Sequence, residues 1–196
     1  MNKDFTSSLR PALVMTLLFA VLLGLAYPLA LTGIGQVLFP DQANGGLVRE
    51  KGIVVGSTVV GQAFTSERYF NTRPSAAGKG YDGLGSSGSN LGPTSQALAD
   101  RVKADVVRLS RTAPGQNVPP DLVTTSASGL DPDISPEAAF YQVGRVARVR
   151  GLDPAAVRGL VERSIEGPIL GFLGEPRVNV FELNRRLDAF GAKHAT

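Results

Sequence analysis

The sequence contains no cysteine. That excludes a disulfide framework, a thiolate metal site and a cysteine nucleophile, and it suits either redox compartment. The one histidine, His194, stands close to the C-terminal end. A side chain in such a tail is ordinarily solvated, so neither a transition-metal site nor a Ser-His-Asp triad is expected. Charge of one sign is also scarce: 20 Lys and Arg face 17 Asp and Glu, a net +3. The basic residues form no stripe and no aromatics interleave with them, so no nucleic-acid partner is expected.

What the chain does have is one long apolar run. Across 11–39 no residue is charged, and the densest part is ALVMTLLFAVLLGLAYPLAL at 12–31. About 20 such residues cross the hydrocarbon core as a helix. A buried core helix is usually shorter and shows a polar face. A cleaved signal peptide finds small residues at Gly24 and Ala26, but the apolar run is already long there and continues past them. The reading is a transmembrane helix over 11–33, with Tyr27 at the far interface. Lys3 and Arg10 lie nearer to it than Arg49 does. The positive-inside rule then keeps residues 1–10 in the cytoplasm and places a soluble domain, 34–196, outside it.

The soluble part reads as α+β, one helix-rich domain with a few short strands. Residues 41–62 read as extended, with short β-branched runs at 47–50, 53–55 and 59–60. Residues 71–93, NTRPSAAGKGYDGLGSSGSNLGP, have no apolar periodicity and read as a long loop. The spacing of Leu98, Val102, Val106 and Leu109 predicts a helix over 93–112 with Pro93 at its first position. Ser135-Pro136-Glu137 signals another helix start, closed by Gly151. Asp153-Pro154 starts a third, with Val157, Leu160, Val161 and Ile165 inward. Asn179 with Glu182 caps a terminal helix, preceded by a short strand at Arg177-Val178.

The motifs that name a chemistry fail on their context. Gly78-Lys79-Gly80 lacks the Ser or Thr after lysine and the strand–helix setting of a phosphate loop. Val55-Gly56 and Val60-Gly61 have no re-entrant frame for an ion filter. Asp131 and Asp133 sit beside prolines, where capping accounts for them, and Glu67, Asp82 and Glu175 have no evident carboxylate partner. The GLDP at 129–132 and again at 151–154 is turn chemistry used twice.

Taken together, several segments carry a resemblance: Gly61-Gln62 with Phe64, YFNTRPSAAG at 69–78, SSGSNLGPTSQAL at 86–98, VPPDLVTTSASGLDPDISPEAA at 118–139, QVGRVARVRGL at 142–152 and LGEPRVNVFELN at 173–184. In that order, behind one N-terminal span, they resemble the KdpC family, the C subunit of the bacterial Kdp potassium-transporting P-type ATPase. Ser87, Ser95 and Asp133 depart from the residues common there. The resemblance implies an accessory subunit without catalytic residues of its own, in a high-affinity potassium uptake complex of the bacterial inner membrane. Its implied partners are a channel-like potassium-binding subunit, an ATP-hydrolysing P-type subunit and the lipid bilayer. It also implies a role in assembly and in raising the pump's affinity for ATP. No firmly bound cofactor is expected; ATP would act through the complex, and potassium would be handled by the partners. Gln142 matches the family's proposed nucleotide contact. Tyr69, Phe70, Arg73, Pro74, Ser89, Asn90 and Leu91 are the expected interface or domain-shaping residues. An anchored extracytoplasmic hydrolase or binding module is the alternative.

Overall fold

A computed structural model describes residues 2–194; the side chains of residues 2–6, 193 and 194, Lys3 and His194 among them, lie outside those described. The chain forms two compact units, residues 1–46 and 47–196.

The first unit is helical: α1 (Asn2–Val21), a π-helical turn (Leu22–Ala26), α2 (Tyr27–Leu38) and a one-turn α3 (Pro40–Ala43). Pro28 has no N–H to give to the preceding turn, and the helix widens just ahead of it. There the Tyr27 N–H reaches back to the Leu22 carbonyl. The helix over Ser7–Leu38 is long and apolar enough to cross a membrane, and none of its most apolar stretch is buried within the protein. It fits a single-pass membrane protein. The helix continues beyond 33, and 40–43 is a helical turn rather than extended chain.

The second unit opens on a hairpin, β1 (Leu47–Glu50) and β2 (Ile53–Ser57), paired antiparallel through a turn at Lys51-Gly52. The expected third run at Val59-Val60 is not a strand. After a long irregular segment come α4 (Gln96–Ser110), a 3-10 turn (Pro120–Leu122), β3 (Asp133–Ile134), α5 (Pro136–Arg150), α6 (Pro154–Glu162), β4 (Ile165–Glu166), β5 (Arg177–Asn179) and α7 (Val180–His194). Strands β3, β5 and β4 form an antiparallel sheet in that order, Ile134 and Ile165 both opposite Val178.

The capping signals hold. Ser135, Asp153 and Asn179 each accept from an amide of the following helix, and Gly151 closes α5. Two expectations need correction. Helix α4 begins at Gln96 under a Ser95 cap, with Pro93 in the turn before it. Ile165 lies past the end of α6, on a strand that packs against the core. The core itself is made by α5, α6, α7 and the small sheet: Ala138, Ala139, Val146, Val157, Val161, Val178, Leu183 and Leu187 are essentially inaccessible. Helix α4 contributes little; Leu109 is buried, whereas Val106 and Val107 are exposed.

Candidate functional site

Residues 58–95 contain no helix or strand. A chain without its own ladder must find partners for its peptide groups elsewhere. Here side chains of α5 and α7 supply them. The Phe70 N–H donates to Asn184 Oδ1 at 2.9 Å, and Asn184 Nδ2 donates to the Phe70 carbonyl at 2.9 Å. The next residue repeats the arrangement with the other helix. The Asn71 N–H donates to Gln142 Oε1 at 2.8 Å, and Gln142 Nε2 donates to the Asn71 carbonyl at 3.1 Å. Each carboxamide offers one donor and one acceptor to a single residue, as a neighbouring strand would.

Arg145, one turn on from Gln142, completes the grip. Its Nη1 donates to the Glu67 carbonyl. Its Nη2 contacts the Tyr69 carbonyl at 3.0 Å, Asn71 Oδ1 at 3.1 Å and Gln142 Oε1 at 2.7 Å. Arg145 is buried, and burial is the main cause lowering its pKa, opposed by the Glu67 carboxylate. The carbonyl oxygens take over the solvation its charge has lost. At the rim, Arg150 donates to the Arg68 carbonyl at 2.7 Å, pairs with Asp188 at 2.7 Å and lies 4.7 Å over the Tyr69 ring. The Tyr69 hydroxyl donates to Asp188 at 3.0 Å.

The rest of the loop is laced to residues 123–131. Ser75 Oγ donates to the Gly129 carbonyl at 2.6 Å, the Ser87 N–H to the Ser128 carbonyl at 2.9 Å and the Gly61 N–H to the Leu130 carbonyl at 2.7 Å. Thr125 Oγ1 meets Ser89 Oγ at 3.1 Å. Arg73 makes longer contacts of 3.5 Å to Asp131 and 3.3 Å to Thr124 Oγ1. The Tyr81 hydroxyl meets Thr72 Oγ1 and the Arg73 carbonyl. Burial is the main cause raising the Tyr81 pKa, so the phenol stays protonated. Two glycines are required by close approach. A Cβ at Gly61 would stand 2.5 Å from the Asp131 carbonyl oxygen, and one at Gly129 (φ +67°) 2.6 Å from that of Ser87.

The expected residues therefore divide. Phe70 is in the core, inaccessible to solvent. Tyr69, Arg73 and Ser89 fasten the loop. Pro74 borders a cleft of about 330 Å³ together with Thr72, Arg73, Tyr81 and Gln142. Asn90, in a left-handed conformation (φ 51°), and Leu91 face solvent. Gln142 is only 3% exposed. Its carboxamide is fully engaged: Nε2 also donates to the Ala138 carbonyl at 3.2 Å, and Oε1 accepts twice. Arg145 and Asn184, the other two members of the grip, were not among the expected residues. A signal existed, since Gln142 and Arg145 interrupt the apolar face of α5. Among the described residues, no three His, Cys, Asp or Glu gather as a metal site would require.

The family model described as "K+-transporting ATPase, c chain" matches residues 9–189. The chain is similar to the "Potassium-transporting ATPase KdpC subunit" of Caulobacter vibrioides (strain NA1000 / CB15N), at 56% identity over 184 residues covering 93% of each chain. It is 54% identical to the protein of that description from Koribacter versatilis over 181 residues, 92% of this chain and 94% of the relative. The counterpart in Bradyrhizobium diazoefficiens is 52% identical over 197 residues, 94% of this chain and 98% of the relative.

Proposed function

The chain belongs to the KdpC family, the c chain of K+-transporting ATPases, and from that membership we propose that it works as a non-catalytic scaffold within a high-affinity potassium uptake complex. In this reading it holds a channel-like potassium-binding subunit and an ATP-hydrolysing P-type subunit together. Its long apolar helix anchors it in the bacterial inner membrane with the N-terminus in the cytoplasm and the soluble unit outside. Potassium is handled by the partners, and ATP is hydrolysed by one of them.

The observation that carries the reading is the grip of α5 and α7 on residues 67–71. A glycine-rich loop without a ladder is ordinarily mobile and a poor docking surface. Here α5 and α7 hold the main chain at 67–71, and the strip at 123–131 holds it as far as Ser89, so the exposed Asn90 and Leu91 follow directly on a fixed stretch. Preorganised surfaces bind without the entropic cost of ordering themselves. Gln142 enters this reading as a positioning residue, because all four of its hydrogen-bonding positions are already used inside the domain. Any gain in the pump's ATP affinity would then come from assembly rather than from a contact made by Gln142.

The test uses the whole operon. Affinity-tagged chain extracted in mild detergent is expected to bring down two large multi-span partners. Asn90→Asp with Leu91→Asp is expected to reduce that recovery at least tenfold while the isolated chain keeps its melting temperature. Full recovery with the altered surface would remove the loop from the interface. Leu84→Cys, fully exposed and the sole thiol, reports the side of the membrane. Labelling by an impermeant maleimide on cells with a permeabilised outer membrane supports the outside placement; labelling only after lysis overturns it.

A further inference from the structure

An uncharged apolar turn of the second unit lies exposed between β4 and β5. Residues 167–174, GPILGFLG, carry no charge. Ile169 and Leu173 bridge antiparallel, forming a tight turn. Its four large side chains are all in water: Ile169 is 57% exposed, Leu170 82%, Phe172 78% and Leu173 58%. Leu170, at the tip, has φ 55°. The left-handed region is unfavourable for a branched apolar side chain, and such strain persists where the surroundings impose it. Here it supports a display of greasy side chains at the end of a projection.

We propose that this turn is a second membrane contact, inserting its apolar tip into the interfacial region of a lipid bilayer. Three observations select lipid over a groove on another protein. The first is that the turn closes on itself, with four of its N–H groups donating to carbonyls of the same segment. The Ile169 and Leu173 N–H groups donate to each other's carbonyls at 2.9 Å, the Gly171 N–H to the Pro168 carbonyl at 3.0 Å, and the Phe172 N–H to the Ile169 carbonyl at 3.4 Å. Lipid offers no hydrogen bonds, so a segment that enters it must bring its own. A segment that docks by adding a strand to a protein would keep an edge open.

The second is composition. The tip holds only aliphatic side chains, one phenyl ring, proline and glycine, and nothing in it needs a specific polar partner. The nearest carboxylate on the β4 side, Glu166, is already paired with Arg177 at 3.1 Å. The third is the tether. Residues 39–46 separate the apolar helix from β1. Even fully extended, a link of that length spans only about 30 Å, less than the width of a domain of this size. Resting on the anchor proposed above, the short link keeps the second unit within that reach of the bilayer. An uncharged apolar tip there lowers its free energy by leaving water.

The chain lacks tryptophan, which makes the test direct. Full-length Phe172→Trp is reconstituted into phosphatidylcholine vesicles whose acyl chains are either plain or brominated near the headgroup. Insertion gives blue-shifted emission that brominated lipid quenches severalfold. Leu84→Trp, at a fully exposed position outside the turn, stays red and unquenched. Combining Phe172→Trp with Leu170→Asn, a residue that accepts positive φ, keeps the turn and at least halves the quenching. Red, unquenched emission from position 172 overturns the proposal. So does blue emission that brominated lipid leaves untouched, the signature of burial against protein, and so does equal quenching at position 84.

Discussion

Two irregular segments of the second unit, 58–95 and 167–174, face the same difficulty and resolve it in opposite ways. Both are rich in glycine and lack regular structure over most of their length. The long one obtains partners for its peptide groups from elsewhere: two carboxamides, two guanidiniums and the facing strip of 123–131. Its apolar content is small, and its best apolar side chain, Phe70, is delivered into the core. The short one bonds to itself and leaves its apolar side chains outside. Where the hydrogen bonds come from decides what a loop is for. A loop held by the rest of the domain is part of the domain's shape. One that closes on itself is free to meet something else.

That contrast can be broken from the side of the grip. Arg145→Met removes the donors to four oxygens and is expected to cost about 4 kcal/mol, read as a fall of about 10 °C or more in the melting temperature of the full-length chain. Asn184→Leu strands both peptide groups of Phe70 and should cost about 3 kcal/mol by the same measurement. Gln142→Met should cost about 2 kcal/mol. In the assembled complex it should leave the KM for ATP unchanged once the amount of complex is equalised; a raised KM at equal assembly would restore Gln142 as a nucleotide contact. Gly129→Ala forces the two facing loops apart and should cost about 2 kcal/mol.

Smaller effects sharpen the comparison. Burial is the leading cause raising the Asp133 pKa, with Arg177 opposing it. A carboxyl raised in the folded state contributes its stability below the ordinary aspartate value of 3.8, and that contribution is lost as pH rises through the folded-state value. The advantage of the natural chain over Asp133→Asn should therefore shrink between acid and neutral pH in paired melting curves. At the end of the scale, Leu170→Asn should move the melting temperature by no more than about 0.5 kcal/mol equivalent, because nothing packs on that side chain. A large loss there would place the turn with the gripped loop.

Much of this fold was legible because it is local. A cap reads an amide only a few residues away, so Ser135, Asp153 and Asn179 could be placed from spacing alone, as could the apolar faces of α5 to α7. Strands β3 and β4 could not, since two residues carry no alternation and acquire their identity from β5. Ile165 followed helical spacing from Val161, yet the helix stops at Glu162 because the chain turns to pair with Val178. The grip was hidden by distance. Asn184 and Phe70 are 114 positions apart, and Gln142 and Asn71 are 71 apart. Polar residues breaking the face of α5 marked it as unusual, without naming what they held. The family resemblance singled out Tyr69 and Phe70 for an interface or for shaping the domain and Gln142 for a nucleotide; the structure brings Gln142 against Asn71, next to Phe70.

The widened turn at 22–26 has a bearing on the anchor itself. One residue added to a single helical turn rotates everything beyond it by about 100° relative to everything before. A stripe of side chains traced along α1 does not continue along α2 but resumes on a different flank. A neighbouring helix lying straight beside this one meets one set of residues in the first half and an unrelated set in the second. The long apolar helix is thus two short faces joined end to end, set at different angles about its axis.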